Sequence, residues 1–115
     1  MVDFLTSLPL TEPQQIVQKT FDAVAPSYDN GIVRLVESLS CPWGSYTAKL
    51  EAFMSNATGK VILDVGCGTA FPVGSFVPAS SIYLGMDISA EMLGHAGMLL
   101  GENLNSALWN IDAER

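Results

Sequence analysis

The sequence of 115 residues lacks the features typical of metal-binding, disulfide-stabilised, membrane-spanning and secreted proteins. Its only cysteines, Cys41 and Cys67, lack both the spacing of metal ligands and the density of a disulfide scaffold. No apolar run approaches the roughly 20 residues that cross a bilayer. Residues 1–5 also lack the basic region of a secretory signal. These absences predict free thiols, no metal site and a cytoplasmic protein without a membrane segment.

Basic residues are scarce as well. Five Lys and Arg face twelve Asp and Glu, which gives a formal net charge of -7, and the basic residues are scattered along the chain. A ligand with a phosphate backbone needs clustered cations, and an anionic membrane surface does too. We therefore expect neither nucleic acid nor membrane as a partner.

The sequence is rich in apolar residues. Hydrophobic residues make up 49% and charged residues 15%, a composition too apolar for a disordered chain. The length suits one domain with one modest core. We therefore expect a single structural domain overall.

Residues 1–58 are predicted to form an N-terminal helical cap. Apolar residues recur at helical spacing over residues 12–25, 31–39 and 45–55, whereas residues 1–10 have no sustained period. Thr11 and Gln14 have the spacing of a capping box, Asn30 is placed to cap the second helix, and Pro26 stops the first.

Residues 59–115 have a different pattern. Short apolar runs at residues 61–65, 82–86 and 107–111 read as strands buried on both faces. Ser89 is placed to cap a helix that Gly101 ends, and the segment between the first two strands is short or irregular. Strands alternating with helices predict an α/β fold, with a Rossmann-like parallel sheet of about three strands beneath the helical cap.

The first predicted strand runs into a glycine-rich turn. Asp64 ends the strand, and Gly66 and Gly68 allow a ligand to approach the backbone closely. The dinucleotide fingerprint would place a third glycine at Phe71, and Asp64 would repel a pyrophosphate. The pattern therefore favours a cationic ligand without phosphate over NAD.

Asp87 closes the second predicted strand. At this position an acidic side chain can accept both ribose hydroxyls of an adenosine. The alternative is that Asp87 only opens the turn ahead of Ser89.

Three segments together resemble class I S-adenosylmethionine-dependent methyltransferases. They are residues 64–69 (DVGCGT), residues 85–89 (GMDIS) followed by Met92 and Leu93, and residues 21–29 (FDAVAPSYD). The most similar branch is the small-molecule one that contains quinone and biotin-pathway enzymes. The resemblance implies S-adenosylmethionine as cofactor and residues 59–115 as the cofactor-binding half of a methyltransferase domain.

The resemblance also implies roles in the glycine turn. The backbone at Gly66 and Gly68 would line the methionine part of the cofactor, and Cys67 would be a small filler between them. Asp64 would serve the ammonium group directly or through water. The family often has glycine where this chain has Ala70, so the turn is expected to differ in shape here.

Other implied contacts surround the adenosine. Asp87 would hold the ribose and Ile88 would pack on the adenine, while Asp112 would meet the adenine amino group and the adjacent Ala113 would belong to the same cofactor site. Tyr28 would close over the cofactor. The alternatives are that Tyr28 is a packing residue of the cap and that Asp112 is a solvated turn residue. No residue is assigned a catalytic role.

Two main functions follow from the resemblance. The first is the S-adenosylmethionine-binding portion of a methyltransferase that acts on a small-molecule acceptor. The alternative is a non-catalytic, degenerate interaction module, and a different nucleotide-binding protein is a third hypothesis. In the family, a fourth strand lies beside strand one, so residues 61–65 are expected to be an exposed edge. That edge predicts a homo-oligomer or a partner chain that completes the sheet.

Overall fold

A parallel sheet forms the centre of the molecule in the computed structural model, which describes residues 4–6, 9–101 and 105–111. The sheet has four strands in the order β1-β4-β3-β2. Their bounds are β1 Phe4–Thr6, β2 Val61–Val65, β3 Ile82–Asp87 and β4 Asn105–Asn110. The predicted α/β class with a Rossmann-like parallel sheet is confirmed.

Strand β1 is the part of the sheet that the sequence did not predict. It pairs in parallel with β4, with Phe4 opposite Leu108 and Thr6 opposite Asn110. The sheet therefore has four strands rather than about three. Three residues are too few to show a strand period, so pairing with β4 fixes this strand rather than its own sequence.

The helices lie close to the predicted ranges. They are α1 Glu12–Val24, α2 Tyr28–Ser38, α3 Trp43–Ser55 and α4 Ala90–Leu100, with short 3-10 turns at Ala25–Ser27 and Val73–Phe76. The second of these turns is the only helical segment between β2 and β3, as the prolines and glycine there predicted.

The predicted helix ends at Thr11, Ser89 and Gly101 are correct, whereas the predicted cap at Asn30 is wrong. The Thr11 amide donates to Gln14 Oε1 at 2.7 Å, and Ser89 Oγ accepts from the Met92 amide at 3.1 Å. Asn30, however, does not cap α2, because that helix already begins at Tyr28. The 3-10 turn after α1 continues almost directly into α2, so Pro26 ends one helix only two residues before the next begins.

The core lies between the sheet and one face of α4. Its fully buried side chains include Tyr83, Leu93, Ala96 and Leu108. Apolar residues of the segment between β2 and β3 pack against the same cluster, which places the glycine turn directly over the core.

The apolar faces of α1 and α2 are not buried in that core, since neither helix contains a fully buried residue. Val17 and Phe21 instead remain partly exposed and face a cavity. Helix α3 packs elsewhere, where Trp43 stacks on Phe71 with ring centroids 5.6 Å apart. The division between residues 1–58 and 59–115 stays a prediction.

Strand β2 lies at the edge of the sheet. Val61, Leu63 and Val65 are 62%, 60% and 54% exposed, so one face of this strand is apolar and open to solvent. Across the described ranges of the chain, no helix is long and apolar enough to span a membrane. The cytoplasmic location stays a prediction.

Candidate functional site

A cavity of about 490 Å³ opens at the carboxyl ends of β2 and β3, beneath the cap helices. Its volume falls within the range of small-molecule sites. It is lined mainly by apolar residues from α1, α4 and the strand ends: Pro13, Gln14, Val17, Phe21, Tyr28, Gly66, Gly68, Met86, Asp87, Ile88, Met92 and Ile111. Parallel sheets of this kind bind ligands at this end of their strands.

The glycine turn forms one wall of the cavity. Gly66 and Gly68 have φ angles of 71° and 55°, values that glycine adopts without strain. The Gly66 and Cys67 amides both donate to the Met86 carbonyl, at 2.8 and 3.0 Å, which ties the turn to β3. A Cβ atom at Gly66 would have no neighbour within 4 Å, so the backbone there is open to a ligand.

Asp87 joins the two strand ends. Its Oδ2 accepts a hydrogen bond from the Gly68 amide at 2.9 Å, and its Oδ1 accepts one from the Ser89 amide at 2.9 Å. Each carboxylate oxygen has a second lone pair, so the group can still accept from ligand hydroxyls. Asp87 therefore does open the turn ahead of Ser89, and it also faces the cavity.

The loop after β3 is held from two sides. Asn110 Nδ2 donates to the carbonyls of Ile88 at 2.9 Å and Asp87 at 3.2 Å, and Gln18 Nε2 donates to the Ile88 carbonyl at 3.4 Å. These bonds fix Ile88 at the cavity wall, between the end of β4 and the cap.

Tyr28 covers the turn from the cap side. A Cβ atom built on Gly68 would lie 3.8 Å from Tyr28 Cε1, so the ring rests against the glycine turn. Burial raises the pKa of the Tyr28 phenol above its ordinary value, and the carboxylates of Asp87 and Asp29 raise it further. The phenol is therefore neutral at physiological pH and forms an uncharged wall of the cavity.

Two carboxylates of the cap bind the loops around the cavity. Asp29 Oδ1 accepts from the buried hydroxyl of Thr69 at 2.6 Å, and Asp22 Oδ1 accepts a hydrogen bond from Ser89 Oγ. We call these two pairs the cap contacts. Neither Asp22 nor Asp29 has a role predicted from the sequence, although both lie in the segment 21–29 that supported the resemblance.

Cys67 lies beneath the turn rather than in the cavity wall. Its side chain is 8% exposed, and burial raises the pKa of its thiol to about 12, with further contributions from the carboxylates of Asp87 and Asp64. A protonated, buried thiol is a poor nucleophile. Its position agrees with a small filler residue.

The predicted site residues are only partly brought together. Five of them line the cavity: Tyr28, Gly66, Gly68, Asp87 and Ile88. Asp64 does not line it; its Oδ2 accepts a hydrogen bond from Tyr83 Oη at 2.6 Å. Asp112 and Ala113 lie outside the described residues, although the adjacent Ile111 lines the cavity.

The cavity walls were harder to predict than its polar groups. Val17, Phe21, Met86 and Met92 line it, but in the sequence they are indistinguishable from core residues. One signal could have identified Val17 and Phe21 as cavity residues rather than core residues: α1 is amphipathic, and the chain also contains a glycine-rich turn. Within the described ranges, no group of three or more His, Cys, Asp or Glu could hold a metal ion.

The chemistry of the walls favours an adenosine-like ligand without phosphate. None of the lining residues in the described part of the chain is Lys or Arg, whereas phosphates are usually bound by such cations. One carboxylate, open glycine backbone and apolar walls suit a ribose, a planar base and a cationic group.

Comparisons with known proteins agree with this fold. No family model matches the sequence. The ubiquinone/menaquinone biosynthesis C-methyltransferase UbiE of Geotalea uraniireducens (strain Rf4) is 34% identical over 87 residues, which cover 73% of this chain and 36% of that protein. The structure of the DhpI-SAH complex matches with a TM-score of 0.56 and 21% identity.

The structural match covers 81% of this chain and 43% of the other. The chain therefore spans less than half the length of either protein that it matches. Within that span, the sequence identity to a methyltransferase and the matching fold lead to the same assignment. The chain belongs to the class I S-adenosylmethionine-dependent methyltransferase family.

Proposed function

We propose that this chain binds S-adenosylmethionine in the cavity and serves as the cofactor-binding portion of a methyltransferase for a small-molecule acceptor. The observation that carries the proposal is the placement of Asp87 and the glycine turn on one cavity, whose lining residues in the described ranges include no Lys or Arg. The UbiE relative, a C-methyltransferase by name, supports a small-molecule acceptor.

The residues present fit this cofactor. Gly66 and Gly68 offer backbone without side chains to the methionine part, Asp87 retains lone pairs for the ribose hydroxyls, and Ile88 offers an apolar surface to the adenine. Tyr28 covers the turn from above. Asp112 remains a proposed contact of the adenine amino group, and Ala113 remains a proposed cofactor contact.

When bound, S-adenosylmethionine supplies a methyl group activated by its sulfonium. The described residues contribute binding and orientation, because alignment alone can supply up to roughly 7–11 kcal/mol of such a displacement. The cap and the glycine turn would keep water away from one side of the cofactor. We assign no general base.

Calorimetric titration tests the cofactor. We expect S-adenosylmethionine and S-adenosylhomocysteine to bind and NAD not to bind. A matched pair of variants locates the site: Gly66→Ala adds a methyl group at positive φ in the cavity wall, and Gly94→Ala adds one in α4 with no neighbour within 4 Å. Binding should be lost only in Gly66→Ala. Binding of NAD instead, or unchanged binding by folded Gly66→Ala, would overturn the proposal.

We further propose that the open edge of β2 pairs with another strand, from a second copy of the chain or from a partner chain. The apolar, exposed side chains at Val61, Leu63 and Val65 support this. The same feature favours the alternative function, a non-catalytic interaction module. Methyl transfer to a panel of small molecules, with and without candidate partner chains, separates the two functions.

A further inference from the structure

A tyrosine and a carboxylate form a pair beside the glycine turn that the roles above leave unexplained. Tyr83 of β3 is completely buried, and its Oη donates to Asp64 Oδ2 at 2.6 Å. Asp64 is only partly buried. In the parallel register Tyr83 lies opposite Ile62 and Asp64 lies opposite Gly85, so the pair is diagonal across the two strands. Long side chains can span that diagonal.

The missing side chain at Gly85 provides the space for this diagonal. A Cβ atom there would lie 3.0 Å from Tyr83 Cε1, 2.9 Å from Cys67 Sγ and 2.8 Å from Leu108 Cδ2. All three distances are shorter than ordinary van der Waals contacts. Gly85 therefore allows the Tyr83 ring to lie over the strand and reach the carboxylate.

The pair has a fixed direction of donation. Burial raises the pKa of the Tyr83 phenol, and its hydrogen bond to Asp64 raises it further, so Oη keeps its proton at all physiological pH values. Oη therefore donates to Oδ2 of Asp64 and never accepts from it. The other oxygen, Oδ1, has no hydrogen-bond partner among the residues that the structure describes.

We propose that Tyr83 is a positioning residue: it holds the Asp64 carboxylate in one orientation, so that Oδ1 receives the ammonium group of the cofactor's methionine part. This inference rests on the proposed cofactor. Asp64 lies outside the cavity lining, although it is only two positions before Gly66, which lines the cavity. The methionine part would extend past the glycine turn toward Asp64, beyond the enclosed adenosine cavity.

Two ligands separate positioning from general stabilisation. S-adenosylhomocysteine carries the amino acid part, and 5′-methylthioadenosine has the same adenosine without an ammonium group. In Tyr83→Phe, which removes only the hydroxyl, we expect affinity for S-adenosylhomocysteine to fall about tenfold. Affinity for 5′-methylthioadenosine should change by less than about twofold, because Asp64 does not contact it.

Two further variants complete the design. Asp64→Asn keeps an acceptor for Tyr83 but removes the charge, so it should show the same selective loss, and adding Tyr83→Phe to it should cost little more. Tyr46→Phe is the matched control, because it removes a phenolic hydroxyl in α3, where the ring stacks on Trp43. It should bind both ligands as the unmodified chain does.

The outcomes distinguish this inference from the proposed function. If the unmodified chain binds neither ligand, the proposed function fails and the inference fails with it. If it binds both ligands and Tyr83→Phe weakens both equally, or neither, the proposed function stands and the positioning role is wrong. If Tyr83→Phe does not fold, a non-selective loss in Asp64→Asn would overturn the inference by itself.

Discussion

Asp87 shapes a turn and also lines the cavity. Its two oxygens already accept backbone hydrogen bonds from Gly68 and Ser89, so it fixes the glycine turn and the start of α4 before any ligand binds. The residue also lines the cavity, so its remaining lone pairs are available to a ligand there. The structural and ligand-binding interpretations of this residue are therefore compatible.

We predict that Asp87→Ala weakens S-adenosylhomocysteine binding at least about tenfold and lowers the free energy of unfolding by about 1–2 kcal/mol, since charged hydrogen-bond acceptors are lost in both roles. Calorimetry and urea unfolding measure the two effects. The matched control is Glu91→Ala, which removes an exposed acidic residue from the first turn of α4. Unchanged affinity in a folded Asp87→Ala chain would contradict the ribose assignment.

Cys67 provides a prediction for pH. Its thiol has a pKa of about 12 in the folded chain, raised from 9.0 mainly by burial. The unfolded chain therefore loses this proton at a lower pH than the folded chain does. The contribution of the buried, protonated thiol to the free energy of unfolding is complete below pH 9 and declines as the pH rises from 9 towards 12. Part of the alkaline loss of stability should be absent in Cys67→Ala.

Thermal unfolding from pH 8 to 11 measures this dependence, and the difference between the two chains isolates Cys67. A thiol reagent at neutral pH should label only Cys41 in the folded chain and both cysteines in urea. Rapid labelling of Cys67 in the folded chain would show that its thiol is accessible and that the turn is more open than the structure indicates.

Elements differ in how well the sequence predicts them. Strands β2 and β3 and helix α4 were placed correctly, because dense apolar runs and a serine cap carry their signals locally. Strand β1 and the start of α2 depend on partners distant in sequence: β1 pairs with β4, and Tyr28 lies against the glycine turn. The spacing of apolar residues within one segment does not indicate its contacts with distant segments.

The residues of the site also differ in how well the sequence predicts them. Glycines and carboxylates at strand ends are visible in the sequence, and five of the predicted residues do line one cavity. The hydrogen bond from Tyr83 to Asp64 was not predicted, because a tyrosine within an apolar strand looks like a core residue. Its function depends on the register and on the empty space at Gly85.

The cap contacts are expected to hold the helices α1 and α2 over the cavity. Thr69→Val removes the hydroxyl that binds Asp29 while preserving the shape of the side chain. We expect the free energy of unfolding to fall by about 1–2 kcal/mol, because a half-buried carboxylate loses its donor. The cap should open more often, so amide exchange in α1 and α2 should accelerate and S-adenosylhomocysteine should dissociate faster.

Hydrogen exchange and stopped-flow dissociation provide the measurements. Thr20→Val is the matched control, since the Thr20 hydroxyl donates to the Ile16 carbonyl within the same helix, at 2.9 Å. If Thr69→Val leaves both the cap amides and the dissociation rate unchanged, the cap contacts do not hold the cap over the cavity.

Two surfaces of the molecule differ in how well they are covered by other elements. The cavity mouth is covered by the cap, whereas the edge and one face of β2 are uncovered by any described element, with Ile82 of β3 also 43% exposed beside them. Natural edge strands are usually protected by charges, prolines or bulges. The described strand has none on its exposed face, where Val61, Leu63 and Val65 alternate.

We therefore predict that the purified chain is not a stable monomer at micromolar concentration, because an unprotected parallel edge gains hydrogen bonds and buries apolar surface when it pairs with another strand. Leu63→Lys should shift the chain toward the monomer without unfolding it, because Leu63 is 60% exposed and a charged side chain there opposes pairing. Met98→Lys is the matched control: Met98 is 82% exposed on α4, away from the edge, and its replacement should leave association unchanged. Sedimentation velocity measures the species present. A monodisperse, cooperatively unfolding monomer of 12.3 kDa for the unmodified chain would show that the edge does not drive association.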